Sequence, residues 1–246
     1  MEDPVKPERI AKRLAHAGIA SRREVERMIE AGRVKVNGTV LTSPAHNVTD
    51  SDEIMVDGQL VGEKPQPRLW RYHKPAGLVT TENDPEGRPT VFGSLPPEMG
   101  RVLSVGRLDL NSEGLLLLTN NGELKRYLEL PATGLTRRYR ARVHGLVDQK
   151  RLDLLAKGIE YEGVKYGPVI ATIEQTQDRA NVWVDVAIKE GKNREIRNVM
   201  RAIDLTVNRL IRTSYGPFQL GNLPKGALEA VSTRVLKQQF GKLFDK

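Results

Sequence analysis

A carboxylate beside a guanidinium, on a turn between two apolar stretches, is the first feature of this chain that could do chemistry. Asp109 lies in Gly106-Arg107-Leu108-Asp109-Leu110-Asn111-Ser112-Glu113-Gly114, with Val102-Leu103-Ser104-Val105 before it and Leu115-Leu116-Leu117-Leu118-Thr119 after it. Such a carboxylate serves as a nucleophile or general base, or simply caps the turn at 111–114; residue types leave both readings open. Arginines gather further on, in Glu190-Gly191-Lys192-Asn193-Arg194-Glu195-Ile196-Arg197-Asn198-Val199-Met200-Arg201. Ile196, Val199, Met200 and Ile203 recur at helical spacing, and Arg194, Arg197 and Arg201 stand on neighbouring faces. That pattern fits a phosphate-binding face or an ordinary solvated helix. A third group, Arg137-Arg138-Tyr139-Arg140-Ala141-Arg142-Val143, alternates as a strand and sets Tyr139 and its flanking arginines on opposite faces. An aromatic among arginines suits an unstacked nucleic-acid base, and a buried core equally.

Other chemistries drop out by composition. The chain has no cysteine, so thiol nucleophiles, thiolate metal sites and disulfides are absent together. The four histidines, His16, His46, His73 and His144, show no metal-ligand spacing. Neither a GxxxxGK[ST] nor a GxGxxG sequence occurs, so nucleotide hydrolysis and dinucleotide chemistry find no support.

These residues need a scaffold, and 246 residues provide one large domain, or a large one with a small one. A hydrophobic fraction of 39% with 28% charged residues is ordinary for a folded protein. No apolar run approaches the roughly 18 residues of a membrane span, and the first residues lack the apolar core of a secretory signal. A cytoplasmic protein is expected. The net charge of +8 asks for an anionic partner. It is unevenly spread: residues 6–35 hold nine basic and four acidic side chains, whereas residues 36–66 hold one and five. The basic stretch reads as a helix from Pro7 to Gly18 with Ile10, Leu14 and Ala17 on one face. A second helix follows, opened by a capping box at Ser21-Arg22-Arg23-Glu24, with Val25, Met28 and Ile29 buried and Gly32 as its stop. Val34 and Val36 form a strand, Asn37-Gly38 a tight turn, and a second strand pair includes Asp52 to Gly58. From Leu69 onward short apolar strands alternate with turns and a few helices, an α+β pattern.

ERIAKRLAHAGIASRREVERMIEAGRVKVNGTVL, with DEIMVDG after it, closely resembles the S-four RNA-binding domain. The resemblance implies that Arg9, Lys12, Arg13, Ser21, Arg22, Arg23, Arg33, Lys35 and Asn37 lie on or near an RNA-facing surface. Ser21 reads equally as a pure helix cap, and Asn37 as a turn residue more than a contact. Arg22 and Arg23 are the strongest phosphate candidates, because a helix N-terminus and two guanidinium groups can share one phosphate cluster. The expected organisation is an S-four-type domain at 7–62, a linker at 63–68 and a catalytic domain at 69–246.

The second domain carries YHKPAGLVTTENDPEGRPTVFGSLP, GRLDLNSEGLLLLTNNGELKRYL, LTRRYRARVHG and EGKNREIRNVM in that order. These blocks resemble the signature blocks of bacterial rRNA pseudouridine synthases of the RsuA/RluB family. The resemblance implies isomerisation of uridine in RNA without cofactor or metal, on a mixed, mainly antiparallel sheet cut by a catalytic cleft; a monomer is expected. Asp109 matches the family's essential aspartate, which attacks the sugar–base unit or removes a sugar proton. Arg107 would hold the place vacated by a flipped nucleotide, Tyr139 would stack on the uracil, and Arg197 would pair with Asp109. Lys74, in the KPAG turn, is expected in the site wall. The NDPEGRPTVF stretch, in which Arg88 is available for phosphate, is similar to that of the members acting on large-subunit (23S) rRNA. The alternatives are the same chemistry on small-subunit (16S) rRNA, or a non-catalytic rRNA-binding or ribosome-assembly protein. Asn121 departs from the family's TNDG ending, and a turn effect is expected there.

Overall fold

The computed structural model describes residues 7–174 and 182–241. They divide into two compact units. The first holds residues 7–68 with Pro97–Leu103 and Asn120–Gly122; the second holds the rest. The last five residues of the expected catalytic domain lie outside the described residues.

In the first unit β1 (Glu8–Arg9), α1 (Ile10–His16), α2 (Arg22–Glu30), β2 (Val34–Val36), β3 (Thr39–Val40), β4 (Asn47–Val48), β5 (Ile54–Val56) and β6 (Gln59–Leu60) follow in order. The first helix starts three residues later than expected. Residues 8 and 9 pair with β4, and the Ile10 amide donates to the His46 carbonyl at 3.1 Å. Ser21 caps α2 by accepting the Glu24 amide at 3.2 Å. Glu24 turns its carboxylate to Arg27 at 2.9 Å, so one half of the expected capping box forms. Val25, Met28 and Ile29 then bury against Ile10, Leu14, Val34, Val36, Ile54 and Val56. Asn37 and Gly38 both adopt positive φ, 49° and 80°, the backbone that a two-residue hairpin turn requires. The Asn37 amide group bonds Asp52 and the Glu53 N–H, which makes it a turn residue.

The second unit contains β7 (Leu69–Lys74), β8 (Leu103–Val105), β9 (Ser112–Thr119), α3 (Gly122–Glu129), β10 (Arg137–His144) and α4 (Gln149–Asp153), the first residues of β8 and α3 excepted. It continues with β11 (Ile159–Tyr161), β12 (Val164–Tyr166), β13 (Ile170–Ile173), β14 (Val182–Ile188), α5 (Glu195–Arg201), β15 (Thr206–Tyr215), β16 (Phe218–Gln219), β17 (Leu228–Ala230) and α6 (Thr233–Phe240). Its main sheet runs β13-β14-β10-β15-β9-β7-β17, with β16 beside β15 and β8 beside β9. The β9–β15 pair is parallel, and the other pairs along that path are antiparallel, so the sheet is mixed and mainly antiparallel.

All eight residues of β9 are buried, as its run of leucines demands. One of them is Glu113, whose charge is met by Arg209 and Lys225, each at 2.6 Å; these cations hold its carboxyl down to about 2. Beside it, Gly114 (φ +104°) lies against the Arg212 backbone. A Cβ there would sit 2.6 Å from the Arg212 nitrogen and closer still to its carbonyl oxygen. Only glycine lets the two central strands approach this closely.

Gly114→Ala is therefore expected to lower unfolding free energy by about 2 kcal/mol or more, through backbone strain and separation of β9 from β15. Urea unfolding followed by circular dichroism checks it, and a loss below about 0.5 kcal/mol would refute the close-approach argument.

Candidate active site

Asp109 sits in the loop between β8 and β9, and its position is set by backbone contacts on several sides. Thr80 donates its hydroxyl to the Leu108 carbonyl at 2.8 Å, and the Gly77 amide donates to the Leu110 carbonyl at 2.8 Å. The Gly106 amide donates to the Glu129 carboxylate at 2.6 Å, while Lys125 holds the same carboxylate. Beneath the loop lies Lys74, 0% exposed. Its ammonium donates to the carbonyls of Pro75 (3.1 Å), Asp109 (3.0 Å), Leu110 (3.3 Å) and Ser112 (2.8 Å). Burial pushes the Lys74 pKa down to about 8, against the pull of the Asp109 and Glu113 charges. The site-wall expectation for Lys74 is corrected here: its head group is spent on main-chain carbonyls under the Asp109 loop.

The Asp109 side chain, 37% exposed, projects from this anchored loop beside a cavity of about 970 Å³. Tyr139, Arg197, Arg107 and Arg88 line the same cavity. Tyr139 is 8% exposed on β10, facing Arg212 across the β10–β15 ladder. The register shifts between Arg138 and Tyr139, a bulge that leaves Thr213 of β15 without a partner position on β10. The alternation read from RRYRARV holds: Arg137, Tyr139, Ala141 and Val143 are buried, and the residues between them are not.

The expected partner of Asp109 was Arg197, and the structure assigns the ion pair differently. Arg194 Nη1 stands 3.7 Å from Asp109 Oδ2. Arg197 donates Nη1 to the Val207 carbonyl at 2.8 Å, and its Nε and Nη2 are buried without a hydrogen-bond partner. Burial and the neighbouring Arg194 push its pKa down, while the Asp109 charge opposes them. The reason lies at the helix start. Arg194 precedes α5 as its N-cap with φ 49° and ψ 27°, a left-handed conformation, so helical spacing does not fix where its side chain goes. The sequence showed it only as the first of three spaced arginines. A second residue without a sequence signal is Thr80, one of many hydroxyls in a turn-rich stretch.

Arg88 grips Asp84 at 2.7 and 3.0 Å and Glu86 at 3.0 Å, so its charge is largely met by carboxylates of its own loop. In the first unit, Arg22, Arg23 and Lys35 are exposed, and the two arginines occupy the first turn of α2. Arg33 forms a two-pronged pair with Asp57 at 2.5 and 2.8 Å. Arg9 donates to the Ala45 carbonyl, Arg13 to the Gly62 carbonyl at 3.3 Å, and Lys12 lies 3.5 Å from Glu8. Asn121 is buried directly before α3, after the leucine strand.

Lys74→Met leaves four main-chain carbonyls short of a donor and is expected to cost about 1–3 kcal/mol of stability. Between about 8 and the ordinary 10.5 the folded chain holds fewer protons at Lys74 than the unfolded chain. Wild-type stability should therefore gain on the variant as pH rises through that window. Urea unfolding of both proteins at several pH values measures it; parallel curves would contradict a lowered Lys74 pKa.

Comparison with known proteins bears on this arrangement. The family model described as RNA pseudouridylate synthase matches residues 68–202, and that of the S4 domain matches residues 8–54. An uncharacterized RNA pseudouridine synthase of Rickettsia felis is 45% identical, covering 94% of this chain and 100% of its own. Ribosomal large subunit pseudouridine synthase B of Salmonella typhimurium is 42% identical over 94% of this chain and 82% of its own. A solved pseudouridylate synthase structure superposes with a TM-score of 0.65 at 25% identity, covering 93% of this chain and 98% of that one. With its anchored aspartate, its buried tyrosine and an amino-terminal RNA-binding module, the chain belongs to the RNA pseudouridylate synthase family.

Proposed function

We propose that the cavity receives one uridine extruded from large-subunit (23S) rRNA and that Asp109 initiates its isomerisation to pseudouridine. The observation that carries this reading is the meeting of Asp109, Tyr139, Arg194 and Arg197 around a single cavity. Isomerisation breaks the bond between uracil N1 and ribose C1′ and forms one between C5 and C1′. The carboxylate of Asp109 either attacks C1′ or takes a sugar proton. Tyr139 offers a face for the extruded ring, which offsets about 1–3 kcal/mol of lost stacking. Arg194, 3.7 Å from the carboxylate, and Arg197 line the same cavity and set positive charge beside it.

The choice of large-subunit rRNA rests on the likeness to the Salmonella and Yersinia pestis enzymes named for that subunit, the latter 43% identical over 89% of this chain and 70% of its own. It rests also on the Asn83–Arg88 loop, four of whose residues line the cavity. The first unit adds affinity through phosphate contacts, with Arg22 and Arg23 exposed for them. We place the enzyme in the cytoplasm as a monomer; among the described residues no helix is long and apolar enough to cross a membrane.

Asp109→Asn should abolish isomerisation while RNA affinity stays within about threefold, because the volume barely changes and only the carboxylate's charge and basicity are lost. Tritium release from uracil-labelled transcript reads it, and activity within about tenfold of wild type would overturn the assignment. Deleting the gene should remove one pseudouridine from the large-subunit rRNA, mapped by carbodiimide primer extension. Loss of a small-subunit site in its place would move the target and leave the enzyme class standing.

A further inference from the structure

Arg212 is a buried cation for which the described residues supply no counter-ion. It is 3% exposed and lines the Asp109 cavity from the middle of β15. Its Nε donates to the Leu115 carbonyl at 2.7 Å, and its Nη2 is buried with no hydrogen-bond partner. Among the described residues no carboxylate lies within ion-pair distance of it. Its guanidinium lies 5.2 Å from the Tyr215 ring centroid. Tyr215 is itself fixed, donating its hydroxyl to the Leu128 carbonyl at 2.9 Å and accepting from Arg137 at 2.8 Å. Burying an unpaired cation costs several kcal/mol unless something else supplies the negative charge. A guanidinium this rigid and this short of partners is organised for an anion that arrives or develops in the cavity.

The sheet register says where that anion lies. Arg212 is directly opposite Tyr139 on the neighbouring strand, so the two side chains share a face at about 5 Å Cβ separation. Leu210, two residues back on that same face, also lines the cavity. A ring lying on Tyr139 thus presents an edge to Arg212.

We propose that Arg212 is a catalytic residue that donates to a uracil carbonyl oxygen and stabilises the uracil anion while the ring is detached. This rests on the reading above, in which the cavity holds the reacting uridine. When the N1–C1′ bond breaks, its electron pair goes to the ring and spreads over N1, O2 and O4. Turning the ring about its N3–C6 axis exchanges N1 with C5, and with them O2 with O4. A donor on one flank therefore meets a carbonyl oxygen before and after the turn. C5 then bonds C1′ and loses its proton, and N1 takes one up, so the sum is an isomerisation. A guanidinium is too weak an acid to give its proton to the anion, so it donates a hydrogen bond and keeps its charge.

The test uses the full chain on two otherwise identical transcripts, one with uridine and one with 5-fluorouridine at the target. Fluorine already stabilises the detached anion and so reduces the need for Arg212. Consumption of the target nucleoside is followed under single-turnover conditions, by nuclease digestion and mass spectrometry. Arg212→Gln should slow uridine about 100-fold and 5-fluorouridine at most about tenfold, with Arg212→Lys recovering part of the uridine rate. Equal losses on both transcripts, or a uridine loss under about threefold, would overturn the proposal, since a purely structural role harms both alike. If Arg212→Gln does not fold, the same ratio on Arg212→Lys decides: a larger loss on uridine supports the proposal and equal losses overturn it. Wild type that converts neither transcript would instead refute the reading of the site, so the two failures are distinguishable.

Discussion

The approach of Gly114 to the Arg212 backbone governs the geometry of the catalytic unit. It brings β9 and β15 together as parallel neighbours in a sheet whose other pairs along its main path are antiparallel. β9 begins where the Asp109 loop ends, and β15 is flanked on its other side by β10, the strand of Tyr139. One side-chain-free position thus sets the spacing between the carboxylate loop and the wall that faces it. Any larger residue would have to push the central strands apart.

Around that contact the chain spends buried charge on position more than on bulk stability. Lys74 directs its ammonium to four carbonyls, two of them in the loop that carries Asp109. Glu113 is tied to Arg209 on β15 and to Lys225, so β9 is fixed along one face while its leucines fill the core. Apolar burial of Leu69, Leu115, Leu117, Leu124 and Leu128 supplies the free energy against which these costs are carried, at about 1.5–3 kcal/mol for each large side chain. Arg197 and Arg212 differ from this set, since each keeps buried N–H groups with no protein acceptor. Unsatisfied donors of this kind persist where a ligand completes them.

Much of the organisation was legible from residue order, because it is local. The buried stripe of α2, its Ser21 cap and the Asn37-Gly38 turn depend on contacts within a few residues, and each formed. The alternation of RRYRARV set Tyr139 on the buried face of β10 because a strand has a fixed two-residue period. Where a local rule met a long-range partner it failed. Residues 8 and 9 read as helix and became a strand because β4 offered them a ladder. The reciprocal half of the capping box yielded to an ion pair with Arg27.

The sequence by itself determined the two-module plan, the family and the residue types of the site, since these reside in order, spacing and composition. Tertiary structure alone decided which cation meets Asp109, that Lys74 turns inward to carbonyls, and that Arg212 stands opposite Tyr139 with no counter-ion among the described residues. Those outcomes depend on a left-handed residue at 194, a close strand approach at Gly114 and a bulge beside Tyr139. Each couples residues far apart in the chain, and periodicity along one segment carries no information about its partner in another.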